Sequence, residues 1–531
     1  KIKEDTHGWL TVSAKEYSEA VPINFGAERI KQIEAASGIS SKARAQSIES
    51  ARRLRHSLLP LNPSDWRRLF LRNGKVFSAP LPELHAMHPA LRSQATAKKG
   101  AKATVVFAAS SLGPATVRLI QALLGTPGVR LGLISEESID GLPDHVRERL
   151  AQHARVEDAS DTQQLVAAVR GMSALGQAEM LIATRDELQV PIAEAREALG
   201  IPGMRPDVAK KFRDKARMKE ILVEAGLPVV RHSLIESVKG GLAFARAVGY
   251  PVAIRPRQRM GSAISYRVES EDQLRGLLDG LRPSKDRPVL CEEFVHGQQC
   301  SFEVMTIGGI PAWFSASRCR PRRLDAQEDP HARWTITLPR EIDDPADAKV
   351  RQMGFAALRA LGIGSGISTM EWFRRPDGTA VISEITARTP GGELMSLMSH
   401  AHGADMHRVW ANAVVNGLVA PLPRLYAAGA AFLRGEGHGR RVVAVHGLDT
   451  IRKELGAVVV EAYLPRIGKP KSTSIKGEGY VVVRHPETAV VDQALQRIIA
   501  GARVQLGELP VKAPAYQPGR GAEMTAAARM A

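Results

Sequence analysis

The spacing of apolar positions changes character along the chain. From residue 104, short contiguous apolar runs alternate with helical patterns: TVVFAAS (104–110), then SSLGPATVRLIQALLG with apolar positions three and four apart, then VRLGLIS (129–135) and MLIATRD (180–186). Contiguous apolar strands separated by amphipathic helices predict βαβ units and a parallel sheet. Further on the strands shift to a period of two, as in VLCEEFVHGQQCSFEVM (289–305), GISTMEWF (366–373) and AVISEIT (380–386). The first suggests strand, hinge, strand, and the other two read as strands joined by a tight turn. Helices are expected over 207–228, stopped by Gly226 and Pro228, around 239–248, over 344–361 and in the stretch around 395–417. Four alternating strands and a closing helix, DQALQRIIAGARV, are expected in 426–510, with a loose tail after that. Before residue 100 the spacing is helical in AERIKQIEAASG and SKARAQSIESARRLRHSLL, PSDWRRLFLRNGKVFS reads as a helix start at Ser64 followed by a short strand, and QATAKKGAKA reads as a linker.

Length then sets the number of cores. At 531 residues with 44% hydrophobic positions, the chain exceeds one ordinary core, so several domains are expected. The polar start KIKEDTHGWL and the lack of an eighteen-residue apolar run argue for a cytoplasmic protein with no membrane partner. A net charge of +17 would attract polyanions, yet the cations are dispersed and aromatic residues make up only 5%. Nucleic acid is therefore not the expected partner. Cys291, Cys300 and Cys319 lack CxxC or histidine spacing and read as reduced structural residues. His400, His402, Asp405 and His407 cannot all share one helix face and read as capping and packing residues.

The chemistry concentrates in GSGISTMEWFRRPDGTAVISEITARTPGG (364–392). Pro376-Asp377-Gly378 supplies turn chemistry between two strands, so Glu371 and Glu384 can meet across a hairpin. Two carboxylates suit a hard cation such as Mg²⁺ that takes its remaining ligands from nucleotide phosphates. Arg388, beside Gly391 and Gly392, adds a guanidinium that could face a charged oxygen. The Ser110-Ser111-Leu112-Gly113 loop could hold an anion on free amides or simply cap a helix. A cationic loop over 313–339, with Arg318, Arg320, Arg322, Arg323 and Arg333, could meet an acidic substrate or remain solvated.

Taken with DKARMKEILVEAGLPV (214–229), GYPVAIRPRQRMGSA (249–263) and VLCEEFVHGQQCSFEV (289–304), the central stretch resembles the ATP-grasp enzymes over residues 101–510. The resemblance implies an α/β protein, α+β in its catalytic part. A basic helical extension (1–100) would precede a parallel βαβ domain (101–204) and a two-lobed ATP-grasp domain (205–425, small lobe about 229–310). A small β-rich subdomain (426–510) and a tail (511–531) would follow. It places Lys215 and Arg255 on the ATP phosphates, with Arg257 in the loop over them; arginine stands where the family has its second lysine. Glu292, and Glu293 and Val295 through their backbones, would hold the adenine, and Gln299 the ribose in place of a glutamate. Glu371, Glu384 and Thr386 would hold Mg²⁺, or Mn²⁺ in its place, threonine replacing the family's asparagine, while Arg388 would steady the transferring group.

The activity implied is that of a ligase joining a small carboxylate to an amine or thiol with cleavage of ATP to ADP and phosphate; a homodimer is open to it. The alternative is a catalytically weakened nucleotide-binding or scaffold protein that uses its basic extension to hold a partner or polyanion.

Overall fold

In the computed structural model the described residues are 103–256, 265–329, 331–342 and 345–508, together with the backbone of four N-terminal strands. These strands, β1 (Ile2–Glu4), β2 (Leu10–Val12), β3 (Arg67–Arg72) and β4 (Lys75–Pro80), form one antiparallel sheet in that order. Arg67–Arg72 is thus a strand, where the sequence suggested the body of a helix. Ser64, the helices expected around 27–59, the linker at 94–102 and the tail from 511 lie outside the described residues. The chain divides into two compact units, one of Lys1–Arg320, Ile336–Ala428 and Arg484–Thr488, the other of Pro321–Thr335, Gly429–Val483 and Ala489–Ala531.

The first unit contains the parallel sheet expected from the contiguous apolar runs. β5 (Ala103–Ala109), β6 (Val129–Ser135), β7 (Gln152–Arg155) and β8 (Met180–Ala183) stand in the order β7-β6-β5-β8, every pair parallel. Six of the seven residues of β5 are buried, which is why its sequence does not alternate. Helix α1 (Pro114–Leu124) starts on a proline, and α2 (Thr162–Gly171) and α3 (Gln189–Leu199) close the layers over Val106, Ile134, Leu181 and Ile192. In the loop before α1 the Leu112 N–H is already engaged, donating to Glu137 Oε2 at 2.8 Å.

Two short helices follow, α4 (Pro206–Arg213) and α5 (Lys215–Glu224). Asp214 separates them and caps α5, accepting from the Ala216 and Arg217 amides, and Gly226 at φ +71° ends it. The small lobe is a four-stranded antiparallel sheet of β9 (His232–Ile235), β10 (Val252–Pro256), β11 (Tyr266–Val268) and β12 (Val289–Glu293), in the order β11-β10-β12-β9. Helices α6 (Val238–Val248) and α7 (Glu271–Leu281), capped by Ser237 and Ser270, bury Leu242, Leu274 and Leu278 on it.

The large lobe is a second antiparallel sheet. β13 (Gln298–Ile307) pairs with β14 (Ile310–Arg320) on one side and with β16 (Gly366–Arg374) on the other, after the chain has passed through β15 (Trp334–Leu338) and helix α8 (Pro345–Leu361). β17 (Ala380–Thr386) completes the hairpin with β16. One face carries Phe302, Val304, Met370, Trp372, Ile382 and Ile385, packed on α5 and α8 through Met218, Leu222, Met353 and Leu358. That burial fixes which face is core and leaves the opposite face to polar residues. Helices α9 (Gly392–His402) and α10 (Met406–Asn416) follow the hairpin; Asp405 caps α10 and His402 packs on Trp313, in line with their expected packing role.

In the second unit, β18 (Ala427–Leu433) enters from the first. β21 (Val459–Tyr463) and β22 (Gly479–His485) pair antiparallel, while β19 (Gly435–Glu436) and β20 (Arg441–His446) flank β23 (Arg503–Gly507). Helix α11 (Thr488–Gly501) begins before the expected stretch 492–504 and ends before its last residues, because Arg503–Gly507 forms a strand. The cationic segment is not a plain loop. β14 runs through Arg318 to Arg320, Arg323–Glu328 is helical, Arg322 pairs with Asp325 at 2.8 Å, and Arg333 donates to the Ala502 carbonyl at 2.8 Å.

Candidate active site

The hairpin turn forms as its sequence demands. Gly378 takes φ +81°, and Asp377 Oδ1 accepts from the Thr379 amide and hydroxyl at 2.9 and 2.7 Å. From the turn the register runs Arg374↔Ala380, Phe373↔Val381 and Trp372↔Ile382, then slips by one residue to Glu371↔Glu384, Met370↔Ile385 and Thr369↔Thr386. Ser383 is the extra residue of this bulge. Had the register continued unbroken, Glu371 would face Ser383 and Glu384 would point into the core. The bulge brings both carboxylates to the polar face, with Thr386 two residues beyond Glu384 on the same side.

Three cations from two elements, α5 and β10, converge on that face. Lys215, at the first position of α5, places Nζ 3.1 Å from Glu384 Oε2, both side chains nearly buried. Arg255, on β10, has Nη1 4.0 Å from the same oxygen and Nε 2.9 Å from Glu292 Oε2. Lys219, one turn after Lys215 on α5, lies 2.9 Å from Glu292 Oε1 and donates to the Ser383 carbonyl at the bulge. Three cations and two carboxylates therefore form one buried network linking β10 and β12 of the small lobe to β17 of the large lobe. Burial acts to raise the Glu292 pKa, but Lys219, Arg255 and Lys215 outweigh it and hold the carboxyl below its usual value. Burial lowers Lys219 from its usual value, opposed by Glu292 and Glu384.

The other expected residues fall around this network. Gln299 Nε2 donates to Glu371 Oε2 at 3.3 Å. The Glu293 N–H donates to the Arg231 carbonyl at 2.8 Å, so of its backbone groups the carbonyl is the one left to offer a base, and its side chain holds Arg231 and Arg375. Val295 is buried with Val230 and Val381 at the hinge between β12 and β13. Arg388 follows β17 and donates to the Thr389 carbonyl at 2.9 Å. Arg257 lies outside the described residues. Cys291, Cys300 and Cys319 are buried free thiols, and burial pushes the first two up to about 12.

Two features escaped the sequence reading. Lys219 had a signal in its spacing, four residues after Lys215 and so on the same helix face. The polar face also extends along β13 and β14 through Ser301, Glu303, Ser315 and Ser317, all buried, with Ser301 Oγ 2.6 Å from Ser317 Oγ and Arg424 donating to Ser315 at 2.6 Å. The alternation of SFEVM (301–305) carried that signal.

The donor set fits a hard divalent cation. Glu371, Glu384 and Thr386 offer only oxygen, and among the described residues no group of three or more His, Cys, Asp or Glu converges on a metal position. Such a site suits Mg²⁺, which needs phosphate oxygens and water to complete its octahedron.

A family profile described as D-ala D-ala ligase C-terminus matches residues 221–408. The solved L-amino acid ligase from Bacillus licheniformis superposes with a TM-score of 0.63 at 16% identity, covering 77% of this chain and all of that one. The chain has the ATP-grasp fold, and its residues 221–408 match a ligase family of that fold. Another ATP-grasp structure is the biotin carboxylase domain dimer of Hydrogenobacter thermophilus 2-oxoglutarate carboxylase, in complex with MgADP, ADP and bicarbonate. It superposes with a TM-score of 0.55 at 16% identity, covering 76% of this chain and 90% of that one. Among curated relatives, the carbamoyl phosphate synthase large chain of Thermotoga petrophila is 29% identical over 226 residues, which is 42% of this chain and 20% of the relative. The chain thus spans about a fifth of the length of the curated relatives it matches. Among the described residues, no helix is long and apolar enough to cross a membrane.

Proposed function

We propose that this chain is an ATP-dependent ligase that phosphorylates a small carboxylate to an acyl phosphate and joins the acyl group to an amine or thiol, releasing ADP and phosphate. The carboxylate oxygen attacks the γ-phosphorus and ADP departs; the nucleophile then adds to the acyl carbon, loses its proton, and phosphate leaves. Phosphoryl transfer of this kind depends on positioning and on neutralising charge. Lys215 and Arg255 would bind the nucleotide phosphates, Glu371, Glu384 and Thr386 would hold Mg²⁺, and Arg388 would steady the group in transit. Glu292, the Glu293 carbonyl, Val295 and Gln299 would line the base and ribose. When bound, the metal supplies charge neutralisation between the phosphates.

The single observation that carries this reading is the bulged register that sets Glu371 opposite Glu384, with Lys215 on the latter at 3.1 Å. The match of residues 221–408 to a ligase family, and the fold shared with a solved ligase, support the bond-forming class. The test measures Mg²⁺-dependent ADP release over a panel of amino acids and small acids, each with amine and thiol acceptors, using Glu384→Gln as the control. Release that requires both an acid and the acceptor supports the ligase. Tight binding of Mg-ATP with no acid-dependent release across the panel would assign a nucleotide-binding scaffold instead.

A further inference from the structure

Lys219 has no part in the reaction just described, yet it is the most deeply buried cation of the network. Its side chain is 0% exposed, against 8% for Lys215 and 17% for Arg255. It cannot reach a nucleotide without unpacking α5. Arg255 and Lys215, by contrast, keep some exposure to solvent. Glu292, itself 2% exposed, holds Lys219 on one oxygen and Arg255 on the other, each at 2.9 Å.

A buried carboxylate that loses its only cation is strongly destabilised. If Arg255 were alone on Glu292, turning its guanidinium to a phosphate would strip the carboxylate of its partner, and the cost would be charged against nucleotide binding. With Lys219 in place the carboxylate keeps a counter-ion throughout. We infer that Lys219 is a positioning residue, the resident counter-ion of Glu292 that releases Arg255 to bind the polyphosphate of a nucleoside triphosphate. The inference rests on the ligase reading for the nucleotide, and adds a residue and a cause for the arginine's freedom to move. Two features agree with it. Lys219 is anchored independently of Arg255 by the Ser383 carbonyl, and it shares a helix face with Lys215, so α5 carries one cation that stays and one that can engage the ligand.

Calorimetric binding of Mg-ATP to the full chain, without acid substrate, tests this in a double-variant cycle of Lys219→Met and Glu292→Gln. K219M is expected to weaken ATP binding about tenfold or more. The double variant is expected to recover to within about threefold of E292Q, because the charge that captures Arg255 is gone. A lysine that only supports the fold would give losses that add in the double variant. Should K219M fail to fold, Lys219→Gln, which keeps a donor for the Ser383 carbonyl, replaces it in the same cycle. Wild-type affinity in the single variant, or additive losses, overturns the inference while leaving the ligase reading intact. A wild-type chain that binds no Mg-ATP overturns both.

Discussion

Replacing Lys215 by methionine separates phosphate recognition from structural support. The Nζ group is 3.1 Å from Glu384 Oε2, with the two side chains 8% and 5% exposed. Removing one partner of such a buried pair costs about 3–5 kcal/mol when nothing else compensates. Here Arg255 remains 4.0 Å from the same oxygen, and two unit charges at that distance attract by about 4 kcal/mol at an effective dielectric near 20. That attraction exists in the intact network too, so it offsets nothing by itself; it keeps the carboxylate from being left without a cation, which places the loss of stability at the lower end of that range, about 3 kcal/mol. Nucleotide binding should suffer as well, because a charge-assisted hydrogen bond to phosphate is worth about 1.5–3 kcal/mol and Arg255 is now needed by Glu384. That corresponds to a rise of about 10- to 100-fold in the dissociation constant for ATP. Denaturant unfolding without nucleotide gives the first quantity and calorimetry with Mg-ATP the second. A folded variant with wild-type ATP affinity, whatever its stability, would mean that Lys215 serves only the ion pair and would refute the reasoning.

The remaining expectations concern the hairpin, the hinge and pH. Glu371→Gln should lower acid-dependent ADP release by at least about a hundredfold, the scale on which a single charge-stabilising group acts; a steady-state assay at saturating Mg²⁺ that finds near-wild-type turnover would remove Glu371 from the metal site. Gly297, between β12 and β13, adopts φ +156°, and a Cβ there would meet the Arg374 carbonyl oxygen at 2.3 Å. Gly297→Ala should therefore cost about 2 kcal/mol or more in thermal or denaturant unfolding, and an alanine variant as stable as the parent would show that this approach can relax. Glu292 has a folded-state pKa below its ordinary 4.5, so its stabilising contribution is complete above that value and is lost as pH falls through the depressed one. The midpoint of urea unfolding should hold steady from neutrality down to about pH 5 and then decline, with a shallower acid limb in Glu292→Gln; identical acid limbs would exclude Glu292 as a source of the decline.

Much of the arrangement was legible because local chemistry and burial agree. The contiguous apolar run of β5 specifies a strand covered on both faces by apolar layers, and the alternation of β13 specifies one apolar and one polar face, both buried. Pro376-Asp377-Gly378 fixes where β16 turns into β17, and Asp214 and Gly226 bracket α5. Legibility fails where tertiary contacts override a local pattern. Arg67–Arg72 pairs in a sheet despite its helical spacing. Arg322 and Arg333 meet Asp325 and the Ala502 carbonyl, the second a partner that no local pattern supplies. Glu292 faces two cations that no spacing within its own strand could announce.

The carboxylate pair shows the same limit at higher resolution. A turn centred on Asp377-Gly378 with Arg374 opposite Ala380 would, by simple counting, set Glu371 against Ser383. In an antiparallel pair, one residue of slip exchanges the faces of the strand. Glu384 reaches the polar face only because the strand bulges at Ser383, and nothing within AVISEIT demands a bulge there. What favours it is outside the hairpin. The unbroken register would turn the Glu384 carboxylate to the core face beside Met370 and Ile382 and send Ile385 to the polar face, whereas the bulged one buries apolar side chains on the core face, delivers Glu384 to Lys215, and turns the Ser383 carbonyl to Lys219. Burying an unpaired carboxylate costs several kcal/mol, more than one irregular ladder position. The pairing of Glu371 with Glu384 thus follows from electrostatic selection between two registers, with α5 supplying the two lysines that decide it.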